Sequence, residues 1–219
     1  MEKVREQIQI QKQMLKCGQS SYDPITLKNS AALFRECCLS ACSKFSVNES
    51  NRELMNELFL YLIRGSKKLD RDKGLWLYGP VGTGKSTILK IIQTYDRRSN
   101  GLAPNGYYPS GGFPIESASF VTNQYCQKGI DGILKYDGSN GMAIGLDEVG
   151  REPKVKYYGT EMDVIQYILQ MRYDNRRGCI TFVTTNLLPE EIHLKYGEYI
   201  ADRVNEMFNV VEIGGKSRR

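Results

Sequence analysis

Histidine occurs once, at His193, and the six cysteines (Cys17, Cys37, Cys38, Cys42, Cys126 and Cys179) show no C-x-x-C spacing. A structural zinc site needs four such ligands grouped at short intervals, so no zinc module is expected. Cys38 and Cys42 share a helix face, the placement of small buried thiols. Apolar runs long enough to span a bilayer are absent, and the opening Met1-Glu2-Lys3-Val4-Arg5-Glu6-Gln7 has no apolar stretch of a signal peptide. The expectation is a cytoplasmic protein with reduced thiols and no membrane partner. Internal repeats are missing, and so is the N-K-x-D motif with which GTPases read their base. Charge of one sign is not dominant either. Lys and Arg total 30 against 25 Asp and Glu, a formal charge of +5. That mild basic excess is compatible with nucleic acid without being diagnostic of it. With 219 residues, the chain can bury one substantial core plus an appendage.

Against this background one stretch stands out. Gly79-Pro80-Val81-Gly82-Thr83-Gly84-Lys85-Ser86 fits G-x-x-x-x-G-K-[ST] at every fixed position, a Walker A loop. Leu75-Trp76-Leu77-Tyr78 before it has the composition of a buried strand, and Thr87-Ile88-Leu89-Lys90-Ile91-Ile92 after it that of an apolar helix. Glycines let such a loop turn several N–H groups inward, and the helix start adds its positive dipole end, so a polyphosphate is held largely by main chain. Lys85 reaches the β- and γ-phosphates. Ser86 offers a hydroxyl to Mg²⁺, which keeps several waters and needs few protein oxygens. Gly79 through Thr87 is therefore the expected ATP cradle.

A second motif supplies carboxylates. Met142-Ala143-Ile144-Gly145-Leu146-Asp147-Glu148 is an apolar strand ending in two acids, the pattern of a Walker B motif. Asp147 at the strand's C-terminal end can hold Mg²⁺ or its waters, with Ser86 as the other metal-site residue, and Glu148 is placed to deprotonate attacking water. Cys179-Ile180-Thr181-Phe182-Val183-Thr184-Thr185-Asn186 has the form of another buried strand. Its terminal amide, Asn186, can hydrogen-bond a γ-phosphate or lytic water without adding charge.

The remaining segments give a coarser map. A thin apolar stripe over residues 2 to 16 predicts a helix ended by Gly18, and Pro24 to Phe45 predicts a second. Ser50-Asn51-Arg52-Glu53 resembles a capping box with Ser50 at the N-cap of a third. Residues 99 to 114 form a long Gly- and Pro-containing loop in which Tyr107 and Tyr108 could stack on bases. Ser119-Phe120-Val121-Thr122 is expected as a strand, with a helix from Asn123 to about Tyr136. Arg151, Lys154, Lys156, Tyr157 and Tyr158 make a basic, aromatic loop of the kind that grips single-stranded DNA. A helix over Glu161 to Arg177 and a strand over Asn209 to Ile213 complete the map.

Taken together, the Walker A loop, Asp147-Glu148-Val149-Gly150, Arg172-Tyr173, Thr184-Thr185-Asn186 and Tyr196-Gly197-Glu198-x-x-x-Asp202-Arg203 resemble the AAA+ ATPases of the DnaC-type helicase loaders and the IstB-type transposition helpers. The resemblance covers roughly residues 70 to 219. It implies an α/β P-loop NTPase fold with a five-stranded parallel sheet flanked by helices, the strand leading to Asn186 lying between the Walker A and Walker B strands. It implies division into a helical segment over 1 to 69, which could dock a partner, and an AAA+ core over 70 to 219 without a C-terminal helical lid. It further implies that Asn186 is sensor 1, that Arg203 enters a neighbouring protomer's ATP site after ATP-dependent self-assembly, and that single-stranded DNA and a replicative helicase or transposase are partners. Where family members often carry a second arginine, this chain has Tyr199, so Arg203 acts alone or with Arg176 or Arg177. Arg219 matches a terminal arginine able to sense phosphate. The expected activity is slow hydrolysis of ATP in DNA replication, stimulated by DNA or a partner. The alternatives are a transposition helper, a small-molecule kinase, and an adaptor that ATP only stabilises.

Overall fold

The computed structural model describes residues 24–43, 45–99 and 112–215. The helix expected over residues 2 to 16, Tyr107, Tyr108 and Arg219 lie outside them. Helix α1 (Pro24–Ala41) and helix α2 (Arg52–Leu62) precede strand β1 (Gly74–Tyr78) and helix α3 (Lys85–Arg98). Then come β2 (Ile115–Ser117), α4 (Ala118–Lys128), β3 (Ile144–Val149), a small hairpin of β4 (Val155–Tyr157) and β5 (Thr160–Met162), and α5 (Val164–Asp174). The chain continues through β6 (Thr181–Thr185), α6 (Ile192–Tyr196), α7 (Glu198–Met207) and β7 (Phe208–Glu212).

The main sheet has five strands in the order β2-β3-β6-β1-β7, and each neighbouring pair is parallel. As expected, β6 separates β1 from β3. Parallel strands covered on both faces are apolar throughout, and β1 with its sequence Gly-Leu-Trp-Leu-Tyr is buried along nearly its whole length. Alternation of side chains then sends Leu75 and Leu77 to one face and Trp76 to the other. The first face packs on α1, α2 and α3 through Phe34, Cys37, Leu58, Phe59, Ile88 and Ile92. The second packs on α4, α5 and α7 through Val121, Ile165, Ile168 and Val204, with Trp76 edge-on to Phe208 at 5.2 Å. The helices that precede residue 69 thus share a core with the Walker A strand and helix, and Glu36 on α1 pairs with Arg98 on α3 at 2.7 Å.

Three local expectations are corrected. The strand expected at Ser119–Thr122 is the start of helix α4. Ser117 accepts the N–H of Phe120 at 3.1 Å as an N-cap, and Ala118, Val121, Thr122 and Tyr125 are buried at helical spacing. The strand itself is the shorter Ile115–Ser117 just before it. Second, Ser50 does not cap α2. The N-cap is Asn51, Ser50 instead donates its hydroxyl to Asn48 Oδ1 at 2.7 Å, and Glu53 is drawn to Lys68 at 2.7 Å. Third, the segment that includes Lys154 to Tyr158 is the β4–β5 hairpin rather than a plain loop, with Val155 paired to Met162.

Candidate nucleotide site

The Walker A loop leaves β1 between two tight neighbours. Gly79 has φ +142, and a Cβ on it would lie 2.5 Å from the carbonyl oxygen of Ile213, so only glycine allows the loop to start beside the chain leaving β7. Thr83 donates its hydroxyl to the Pro80 carbonyl at 2.9 Å and braces the turn. Helix α3 begins at Lys85 with Gly84 as N-cap, so no side chain covers its first amides. Those N–H groups and the helix dipole face the mouth of the loop, an arrangement made for anions. The Lys85 ammonium lies within the same turn, donating to the carbonyls of Gly79 and Pro80 at 2.7 Å each.

Sixty-one positions further along, Asp147 meets this helix: Ser86 donates its hydroxyl to Asp147 Oδ1 at 2.8 Å. Thr184, from β6, donates to the same carboxylate oxygen. A hydroxyl and a carboxylate side by side are hard oxygen donors that suit Mg²⁺. Among the described residues no group of His, Cys, Asp and Glu could hold a metal by itself. An ion here would therefore keep most of its shell as water and phosphate oxygen, as Mg²⁺ does.

Glu148 is held in a conformation that the strand pattern conceals. Its φ is +59, in the left-handed region that costs a non-glycine residue about 1–3 kcal/mol. The register between β3 and β6 shifts there, between Leu146 and Val149. Its N–H donates to the Thr184 hydroxyl at 3.0 Å, which anchors the bulge. The side chain is about half exposed, meets Arg151 Nη1 at 3.2 Å, and lines the cavity over the phosphate loop. Thr185 donates to the Val149 carbonyl at 2.7 Å and accepts the N–H of Leu187 at 3.0 Å. The two threonines thus shape both the Walker B turn and the bend after β6 where Asn186 sits.

The cavity measures about 730 Å³, within the range of small-molecule sites. One wall is the phosphate loop with Glu148, Arg151 and Asn186; the other includes Phe45, Asn48, Asn51 and Met55. Asn51 is buried, donates to the Ser46 carbonyl at 3.0 Å and accepts the N–H of Asn48 at 2.8 Å, so the segment ahead of α2 is a built wall. The sequence carries no motif for it; only folding α1 and α2 onto the core brings it to the site.

No protein-family model and no curated protein sequence matches this chain. In three dimensions the likeness is clear. The crystal structure of the DnaC helicase loader matches with a TM-score of 0.57 at 16% identity, covering 80% of this chain and 96% of that one. The crystal structure of DnaI matches with a TM-score of 0.56 at 20% identity, covering 84% and 93%. The replication initiator DnaA bound to AMPPCP and single-stranded DNA matches with a TM-score of 0.51 at 18% identity, covering 80% of this chain and 49% of that one. The fold is the one seen in the DnaC and DnaI structures.

Within this DnaC-type fold, Lys85, Ser86, Asp147, Glu148 and Asn186 converge, and Arg203 stands apart. Arg203 belongs to α7 and lines no part of the cavity. Its guanidinium carbon lies 3.3 Å over the centre of the Tyr199 ring and 4.0 Å over that of Tyr173. Arg176 lies over Tyr173 at 3.9 Å and pairs with Glu206 at 3.5 Å, so two arginines share one aromatic partner. Arg177 belongs with Arg176 to a separate groove near Gly138 and Gly178. Arg172, part of the recognised motif set, is a buried tie. It donates to Thr181 Oγ1 at 2.6 Å and to the carbonyls of Tyr136, Met142 and Ile180 at 2.8–3.0 Å, joining α5 to the starts of β3 and β6. Of the hairpin residues, Lys154, Lys156 and Tyr158 are exposed, Tyr158 by 93% at the turn, while Tyr157 packs on Tyr125 with ring centres 5.8 Å apart. No described helix is long and apolar enough to cross a membrane.

Proposed function

We propose that this chain is an ATP-hydrolysing switch of the DnaC type that assembles with copies of itself and acts on single-stranded DNA or a replicative helicase in DNA replication. The observation that carries the reading is the meeting of Ser86 and Asp147 at 2.8 Å beneath a cavity that Glu148 and Asn186 line. In it, the loop amides and Lys85 hold the β- and γ-phosphates, while Ser86 and Asp147 hold Mg²⁺. The ion supplies charge neutralisation at the phosphate oxygens. Glu148 takes a proton from water as the water oxygen attacks the γ-phosphorus and the bond to ADP breaks. Asn186 steadies the γ-phosphate or the water. A strand end carrying two carboxylates, with Asn186 lining the same cavity as Glu148, favours hydrolysis over transfer to a metabolite.

Arg203 lies away from this chain's own cavity, which fits a residue supplied to a neighbour's site. DNA contact falls to Lys154, Lys156 and the exposed Tyr158 on the β4–β5 hairpin, with cations for the backbone and a ring for a base. Support for a replication role comes from the likeness to the DnaC helicase loader and to the DnaA initiator solved with AMPPCP and single-stranded DNA. The alternative within the same fold, a transposition helper, differs in its partner, a transposase rather than a helicase. The test is ATP turnover per protomer at rising protein concentration, with and without single-stranded DNA. A rate that climbs with both supports the proposal; a rate indifferent to both favours an adaptor that ATP merely stabilises.

A further inference from the structure

Glu152 follows the Walker B turn by a few residues and its side chain has no exposed surface. A buried carboxylate is tolerated only with close donors, and here they come from two directions. One oxygen, Oε2, accepts the N–H of Gly150 at 2.8 Å. Gly150 sits two residues after Glu148 at φ +100, and a Cβ there would lie 2.7 Å from the Leu187 side chain, so glycine is the residue that fits this turn. The other oxygen, Oε1, accepts the hydroxyl of Tyr196 at 2.5 Å and faces Lys195 Nζ at 3.6 Å. Lys195 also donates to the Glu152 carbonyl at 2.7 Å.

Tyr196 is the last residue of α6 and is 1% exposed. Its carbonyl accepts Gln166 Nε2 at 2.8 Å, which fixes the residue to α5 as well. The chain then passes Gly197, at φ +82, and enters α7 with Tyr199 and Arg203 in its first two turns. An ion pair buried in this way contributes little net stability over apolar packing of the same volume. Its distinctive property is that it joins two segments more than forty positions apart in sequence.

We propose that Glu152 is a positioning residue that couples the turn carrying Glu148 to the helix carrying Arg203, so that nucleotide in the phosphate site and presentation of Arg203 change together. The inference rests on the reading of the site as an assembling ATPase and adds how that site communicates with the helix that serves a neighbour. Glu152 and Tyr196 do not line the cavity; they act through Gly150 on one side and Gly197 on the other. Gly197 is the single residue between Tyr196 and α7, and at φ +82 its backbone is one that glycine adopts and leaves without penalty.

The experiment uses the full chain, the variants Glu152→Gln and Tyr196→Phe, and Arg203→Ala as reference. Amide hydrogen exchange over residues 192–207 is measured with and without AMPPCP, alongside AMPPCP affinity, melting temperature and turnover against protein concentration. In the wild type, AMPPCP changes exchange over 192–207 by about fivefold or more, the low end of measured couplings between sites. In both variants that response disappears, AMPPCP affinity stays within about threefold, and turnover loses its rise with concentration as it does in Arg203→Ala. The coupling is overturned if either variant keeps the exchange response. It is also overturned if the response is lost only in step with melting temperature and affinity, since that is the behaviour of a merely structural contact. A wild-type chain that binds and hydrolyses ATP while 192–207 stays indifferent overturns the coupling alone; one that does not bind AMPPCP overturns the reading of the site with it.

Discussion

The guanidinium carbon of Arg203 lies 3.3 Å over the centre of the Tyr199 ring and 4.0 Å over that of Tyr173. Aromatic rings hold an arginine's planar head without competing for it as a carboxylate would. Replacing Arg203 by Ala is expected to lower assembly-dependent turnover by about 10³-fold or more. Each lost ring contact is worth only about 0.5–1 kcal/mol, so the melting temperature should move little. Turnover at high protein concentration, compared with the melting curve, checks both parts; a fully active variant sinks the role in trans.

Lys85→Ala removes the cation of the phosphate loop while leaving the backbone cradle. Loss of a charged hydrogen bond of about 1.5–3 kcal/mol corresponds to roughly 10- to 100-fold weaker nucleotide binding. Titration calorimetry with AMPPCP reads this directly. Unchanged affinity would show that the loop does not hold phosphate.

Glu148→Gln keeps shape and hydrogen-bonding reach but cannot take a proton. Turnover should fall by about 10²- to 10⁴-fold with AMPPCP affinity preserved. A variant that hydrolyses ATP normally would move the general base elsewhere in the cavity, or to a partner.

Arg172→Ala separates structural from functional arginines. The side chain is buried and donates to the Thr181 hydroxyl and to the carbonyls of Tyr136, Met142 and Ile180, so its removal takes a donor from each of the four. A loss of about 3–4 kcal/mol of stability is expected in urea unfolding. Arg172→Lys should restore little of it, since one ammonium cannot replace a planar fork reaching apart in several directions. Full recovery by lysine would contradict that account.

Thiol reactivity tests the packing of α1 independently of function. Cys126 is exposed, whereas burial pushes Cys38 up to about 12 and also raises Cys37 and Cys179. At pH 8 the Cys38 thiolate fraction is then about one part in 10⁴. Alkylation of the native protein followed by mass spectrometry should modify Cys126 first and spare Cys37, Cys38 and Cys179. Rapid labelling of Cys38 would mean that α1 does not stay packed on the core.

Much of the site was legible because its chemistry is written in contiguous residues. A phosphate loop needs its glycines, lysine and serine in consecutive positions, and an apolar run ending in Asp147-Glu148 needs only one strand. The strand at Ser119–Thr122 was misplaced for a local reason. Four residues of mixed β-propensity do not distinguish a strand from a helix start, and the deciding bond runs from Phe120 N–H to the Ser117 hydroxyl. The Ser50 cap failed similarly, since Asn48 and Asn51 compete for the same short-range bonds.

The sequence by itself determined the phosphate loop, the Walker B strand end and the parallel α/β class, because each rests on residue type and near-neighbour spacing. Tertiary structure alone decided the rest. It set the left-handed turn at Glu148 through Thr184, the cavity wall built from Phe45 to Asn51, the ring cradle of Arg203 and the bridge from Glu152 to Tyr196. Each depends on residues distant in the chain, Thr184 for Glu148, the phosphate loop for the wall, Tyr173 for Arg203 and Tyr196 for Glu152, and local spacing does not encode such meetings.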